Sequence, residues 1–271
     1  MLTYKELYVK DSLSFCINKL WILENFDSKG ESANKTLVPN GCFNIAFING
    51  QGVFAKFGNN VIELKEGIFF CGQATQSVTI EIMPDTKLNM VQIFPWTASM
   101  LGNYDMNLCT NNVIPLIRIN QDFEYEAGKI DKSDEYLISN FLHDQFNKFL
   151  NKNEHTLLLH KSCSAIIKNN GAVSIKDLCT QLNCSPRHLQ KLFLKYIGLS
   201  PKEFSIIIKL RNTIDGIAYP SSSIHNSLTS LALDNDFYDQ AHFNNIFKTI
   251  VKTPPKKFIP SRFILAFKKK I

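Results

Sequence analysis

The strongest constraint on the fold of this 271-residue chain is a repeat near its C-terminal end. In residues 174–196, Ser174 followed three residues later by Asp177 is a helix start. Leu178 and Leu182 share one face of that helix, and Asn183 sits where a left-handed turn residue is needed. Ser185 then caps a second helix with Pro186 at its first position. Leu189, Leu192, Phe193 and Tyr196 face inward, which leaves Arg187, His188, Gln190, Lys191 and Lys195 on a free polar face. This is a helix-turn-helix plan, and such a face can bond phosphate oxygens or base edges in the major groove of duplex DNA.

The plan returns 54 residues later, from Leu228 to Phe247. Leu231-Ala232 matches Leu178-Cys179, Asp236 takes the turn position of Asn183, and Phe247 matches Phe193. Asp239 caps a helix whose free face carries Gln240, His242, Asn244 and Asn245. Pro201-Lys-Glu-Phe204 recurs as Pro255-Lys-Lys-Phe258. Between the units, Pro201 to Asp215 reads as one apolar-periodic linker helix through Phe204, Ile207, Ile208 and Leu210. A single unit fits a hairpin of helices that only packs as well as it fits a DNA reader. Two units in register favour the reader.

Charge divides the chain at the same place. Met1 to Leu159 holds 13 Lys and Arg against 18 Asp and Glu; His160 to Ile271 holds 17 against 6. A strongly basic C-terminal part suits a polyanion, because Lys and Arg on phosphates release condensed counterions.

The segment Ser185-Pro-Arg-His-Leu-Gln-Lys-Leu-Phe193, with Gly198-Leu-Ser-Pro201, Arg211 and His242-Phe243…Phe247-Lys248, resembles the AraC/XylS family of bacterial transcription regulators. The resemblance covers about residues 160–265. It implies an all-helical DNA-binding domain, expected over 156–267, whose two helix-turn-helix units are joined by a long helix. It also implies that their second helices enter successive major-groove segments, roughly 34 Å apart, on one face of the duplex. Two departures stand out: Asp236 replaces a turn glycine, and Lys252 replaces a glycine of the closing segment. The second recognition face is uncharged, so the second unit is expected to contribute less affinity and more A·T preference, Asn and Gln being suited to adenine.

The front half reads differently. Val78-Thr79-Ile80-Glu81-Ile82 alternates, and Ile48-Asn49-Gly50-Gln51 and Phe57-Gly58-Asn59-Asn60 carry hairpin-turn residues. Pro39-Asn-Gly41 and Pro84-Asp85 are further turns. These runs predict an antiparallel barrel or sandwich, a short helix near Thr97 to Tyr104, and a helix from Asp131 to Leu150. The last carries Leu137, Phe141, Leu142, Phe146, Phe149 and Leu150 on one stripe. The expected whole is α+β and multidomain: a β-rich domain over 1–150, a polar linker at 151–154, then the helical domain. Pro39-Asn-Gly41 and Val91-Gln-Ile-Phe-Pro95 give the front half a weaker likeness to uncharacterised modules attached to some regulators of this family.

No signal-peptide-like run opens the chain and no apolar run reaches the ~18 residues of a membrane span, which reads as cytosolic. Seven cysteines without metal-site spacing read as free buried thiols. No GxSxG, GxxxxGK[ST] or GxGxxG occurs, so no catalytic residue and no cofactor is expected. All six histidines follow the β-rich part, so no imidazole metal site is expected there. Glu24, Glu63, Glu66 and Glu81 read as surface carboxylates. Phe43, Phe47, Phe54, Phe57, Phe69, Phe70, Phe94 and Trp96 are enough aromatic surface for a core or for a pocket.

The expected function is sequence-specific regulation of transcription through double-stranded DNA, with a small-molecule effector in the front domain. Two alternatives stay open: a front domain that only forms a homodimer or binds protein, and an enzyme domain fused to a DNA-targeting one.

Overall fold

The computed structural model describes residues 2–8, 12–26, 30–148, 154–218, 237 and 239–264. Two antiparallel sheets form the front half. One has six strands in the order β1 (Leu2–Tyr8), β2 (Ile17–Asn25), β9 (Thr86–Ile93), β4 (Phe43–Gly50), β7 (Gly67–Cys71), β10 (Val113–Pro115). The other has five: β11 (Phe263–Ile264), β3 (Ala33–Leu37), β8 (Val78–Ile82), β5 (Val53–Phe57), β6 (Asn60–Leu64).

Alternation sets the faces. Val78, Ile80 and Ile82 of β8 are buried and the residues between them are not. Phe57 pairs with Asn60 around Gly58-Asn59, a two-residue hairpin as the sequence predicts. The turn at Asn49-Gly50 is different, because β4 and β5 lie in different sheets. So do the strands flanking Pro39-Gly41 and Pro84-Asp85. The residues specify a reversal; packing decides which strand each run pairs with.

Helices cover the outer face of the six-stranded sheet. After α1 (Ala98–Leu101) comes α2 (Gln121–Ala127), which the sequence reading missed. Its signals are an Asn120 side chain accepting from the Phe123 amide (2.9 Å) and the buried pair Phe123 and Ala127. Helix α3 is described over Glu135–Lys148 and starts later than expected, with Asp134 accepting from the Tyr136 amide at its start (2.8 Å). Its buried stripe is Ile138, Phe141, Leu142, Gln145 and Phe146. Leu137 is exposed instead, one position off that stripe. Phe149 and Leu150 lie outside the described residues, as does most of the expected linker. The stripe packs on Phe123 and on the outer face of the sheet, so it is core and not a free surface.

The helical part comprises α4 (Glu154–Lys168), α5 (Ile175–Gln181), α6 (Pro186–Ile197), α7 (Pro201–Ala218) and α8 (Gln240–Val251). Leu228, Leu231, Ala232 and Asp236, read as the start of the second unit, lie outside the described residues.

The front sandwich holds both ends of the helical part. On one side Trp96 enters the cluster of Leu159, Leu189, Phe193 and Phe204, Ser99 bonds Thr156 (2.8 Å), and Thr110 donates to the Gly198 carbonyl (2.7 Å). On the other, Val38 joins Phe243, Phe247 and Phe258, the Ser77 amide donates to the Ile250 carbonyl (2.7 Å), and β11 pairs in parallel with β3. In between, α7 crosses the Pro39-Gly41 turn so closely that a Cβ on Gly41 would lie 2.6 Å from the Phe204 ring.

Candidate nucleic-acid interface and front-domain cavity

The first unit forms from the signals in its sequence. Ser174 Oγ accepts from the Asp177 amide (3.3 Å) and Ser185 Oγ from the His188 amide (3.1 Å), so each helix has its N-terminal donors capped. Asn183 takes φ 50° at the turn. Leu189, Leu192, Phe193, Tyr196 and Ile197 are buried. Arg187, His188, Gln190, Lys191 and Lys195 are all exposed on the same helix. Lys195 also lies over the Tyr196 ring, 5.1 Å from its centroid, and the His188 ring is 6.4 Å from that of His155 on α4.

The second unit shows the same division. Asp239 caps α8 by accepting from the His242 amide (2.7 Å). Phe243, Phe247, Ile250 and Val251 are buried, while Gln240, His242, Asn244 and Asn245 are exposed. All nine side chains predicted to contact DNA thus stand on the free faces of two helices whose other faces are core.

The two helices end differently. α6 ends at Gly198 with φ 78°, and a Cβ there would lie 2.6 Å from the Met106 carbonyl oxygen of the front half. α8 ends at Lys252 with φ 61°, a left-handed conformation that a lysine adopts at a cost.

A cavity of about 970 Å³, counting its open mouth, lies between the two sheets. Trp21, Ala46, Ile48, Ala55, Phe57 and Ile80 are among its apolar walls. Among the aromatic residues, Phe57, Trp21 and Tyr4 line it; of the seven Phe and Trp96 weighed as core or pocket, Phe57 alone does. Phe43, Phe47 and Phe70 point the other way, into the packed cluster under α2 and α3. Phe94 and Trp96 stack on each other (centroids 4.6 Å) and Trp96 meets His160 of α4, while Phe54 and Phe69 are half-buried. Phe43, Ile45 and Phe47 alternate with Asn44, Ala46 and Ile48, so strand phase sends the large rings away from the cavity.

The polar end of the cavity is built from both halves of the chain. Lys19 of β2 and Arg211 of α7 both line it, together with Tyr4, Asn44, Gln73 and Gln92. Lys19 is ion-paired with Glu6, which also accepts from the hydroxyls of Tyr4 and Tyr8. Arg211 Nε donates to Asp215 (3.0 Å). Burial lowers the pKa of the Lys19 ammonium, and Glu6 holds part of that back. Burial by itself would raise Glu6, but the hydrogen bonds from Lys19, Tyr4 and Tyr8 keep its carboxyl below the usual range. Burial raises the Tyr4 phenol, and Glu6 adds to the shift. Burial also pushes the Cys42 thiol at the cavity edge up to about 12, so it stays protonated. The sequence reading singled out neither Lys19 nor the cavity role of Arg211. The signal was there: each is a cation at the inward phase of an otherwise apolar strand or helix.

The expected surface carboxylates fit the structure in part: Glu24 meets Lys87, Glu66 meets Lys132 and Glu81 meets Lys56. Among the described residues, no group of three His, Cys, Asp or Glu could hold a metal ion, the cysteines are free thiols, and no helix is long and apolar enough to cross a membrane.

Two domain-family models match the chain, one in each half. Residues 178–261 match a helix-turn-helix domain family, and residues 6–115 match a domain family of unknown function, DUF6597. The chain is 29% identical over 75 residues to the uncharacterised HTH-type transcriptional regulator YidL of Escherichia coli K12; the match spans 28% of this chain and 24% of that one. Among solved structures, ToxT from Vibrio cholerae O395 aligns over 95% of both chains at 12% identity and a TM-score of 0.45. The AraC-like activator CuxR aligns over 81% of this chain and 87% of its own, at 14% identity and a TM-score of 0.27. The C-terminal part of the chain thus carries a helix-turn-helix domain, similar to that of an HTH-type transcriptional regulator and to the AraC/XylS pattern read in the sequence.

Proposed function

We propose that this chain regulates transcription by binding a specific duplex sequence, reading it with α6 and α8, and that an effector in the front cavity controls the binding. In this reading the chain divides near residues 151–153 into an effector domain and a DNA-binding domain. Arg187, His188, Gln190, Lys191 and Lys195 enter one major-groove segment. Gln240, His242, Asn244 and Asn245 enter the next. One observation carries the DNA part: both helices bury an apolar face and expose a face of base-reading residue types, with nothing of the front half covering it among the described contacts.

The cavity supports the effector part, because its wall includes a residue of the helix that joins the two units. Its apolar interior and the cation pair Lys19 and Arg211 suit an organic acid with an apolar body. Such an acid would share these cations with Glu6 and Asp215. To regulate, it must bind the DNA-competent and incompetent arrangements with different affinity; tight binding alone shifts nothing.

The test has two arms on the full chain. Titration against genomic duplex fragments should find some bound far more tightly than a random duplex of equal length, with affinity falling as salt rises. A thermal-shift screen of organic acids should then find one that stabilises the protein, an effect that Lys19→Met and Arg211→Met each abolish. At ~100 times its dissociation constant, the stabilisation should be roughly 2.7 kcal/mol. Equal affinity for every duplex sinks the DNA reading. Hits that ignore both substitutions sink the cavity.

A further inference from the structure

The segment that ends the second unit carries charge without counter-charge. From Gln240 to Ile264 there are Lys248, Lys252, Lys256, Lys257 and Arg262, and not one Asp or Glu. All five are exposed, and none forms an ion pair among the described residues. A run of lysines is often only a solvated face, but two further observations point to a ligand.

The first comes from the repeat. Where the first unit ends, Ser200 and Glu203 form a reciprocal cap: the Ser200 amide donates to Glu203 Oε2 (2.8 Å) and the Glu203 amide to Ser200 Oγ (3.2 Å). That cap starts the long helix α7. At the matching positions the second unit has Pro254 and Lys257, and among the described residues two 3-10 turns, Pro255–Lys257 and Pro260–Arg262, stand where the first unit starts its long helix. An acid that caps has become a base that points to solvent.

The second is Lys252. It occupies the left-handed position that Gly198 fills in the first unit, without the packing that makes glycine necessary there. A lysine in that conformation is strained. Lys248 follows Asn245 by three residues on the same face of α8, and Lys252 caps that helix one residue past its last turn. Along the axis, Lys252 is about 10 Å beyond Asn245, within the roughly 12 Å width of the major groove.

We propose that Lys248, Lys252, Lys256 and Lys257 form a phosphate-binding strip that seats the second unit on the DNA backbone beside the groove its helix enters. The proposal rests on the DNA-binding reading above. It supplies the second unit with the phosphate attraction its uncharged recognition face lacks, and so reverses the expectation that this unit adds little affinity.

The test measures affinity against salt for one tightly bound duplex and one random duplex, using the full chain. Lys256→Gln/Lys257→Gln should lower the slope of log K against log salt by about 2, and weaken binding roughly twenty-fold at 0.2 M salt on both duplexes alike. Lys252→Gly should lower the slope by about 1 with no fall in Tm. That separates a phosphate contact from a lysine held only by the dipole of the α8 C-terminus, whose loss would leave DNA affinity unchanged. Lys191→Ala on the first recognition helix is the control. If it weakens binding while the double and Lys252 variants keep wild-type affinity and slope, the strip is overturned and the DNA reading stands. If the unaltered chain binds no duplex at all, both fall.

Discussion

The two helix-turn-helix units are repeats in sequence and are not equivalent in the molecule. The first is built into the front half: Trp96 sits in its core, and the end of its recognition helix abuts the Met106 carbonyl. The second touches the front half through Val38, one backbone bond to Ile250 and a two-residue strand. The exposed face of α6 is cationic and that of α8 is neutral at its start, with its charge in the last turn and past the helix end. The repeat gives both units one pattern of capped, half-buried second helices. Each copy has different neighbours: the helix end against the front half is the crowded Gly198, and the one facing solvent is Lys252.

The largest expected effect tests the cores. Phe193→Ala and Phe247→Ala each empty a fully buried position and should cost about 3–5 kcal/mol in urea unfolding. If the units differ as described, Phe193→Ala should also weaken the contact with the front half, seen as faster proteolysis within 149–153. Phe247→Ala should leave that rate unchanged.

Next come the matching helix ends. Gly198→Val places a branched side chain at φ 78° against a carbonyl oxygen and should cost about 2–3 kcal/mol. Lys252→Gly should be neutral or stabilising by up to ~1 kcal/mol. Equal losses at the two sites would show that the front half does not hold the first unit in solution.

Binding sharpens the contrast further. Lys191→Ala should cost on the order of 1–3 kcal/mol of DNA affinity if it reads a base, relaxing preference at one base pair. Asn245→Ala should change preference with little change in salt slope, because it carries no charge. A uniform loss in both would mean that neither helix reads sequence.

The smallest effects are the caps. Ser185→Ala and Asp239→Ala should each cost about 1 kcal/mol of stability, because each frees one backbone donor at a recognition-helix start. Thermal unfolding of both variants should show similar shifts; a zero shift at Asp239 would mark the second unit as the looser one.

The helical part was legible because its rules are local. Caps act over three residues, a left-handed turn needs one Asn, and apolar spacing at 3.6 residues shows which face is buried. The repeat doubled the signal. Helix α2 was passed over because its seven residues give only one buried pair, Phe123 and Ala127, too little periodicity to separate from a loop. In α3 the stripe was placed one position off at Leu137, because Ile138 competes for the same face and only contact with the sheet decides between them.

The sequence by itself determined the first capped helix-turn-helix unit, the capped second helix of its repeat, which side chains of those helices are free, and that the front half is made of alternating strands. Only the tertiary structure decided that the turns at Gly41, Gly50 and Asp85 join strands of different sheets, that Phe43 and Phe47 fill a core and not the cavity, and that Lys19 and Arg211 share one polar pocket 192 residues apart in the chain. The physical reason is range. Hydrogen-bonded caps and helical periods are satisfied within a few residues, whereas the partner of a strand and the face a ring turns to are settled by apolar burial summed over the whole sandwich, which no local window contains.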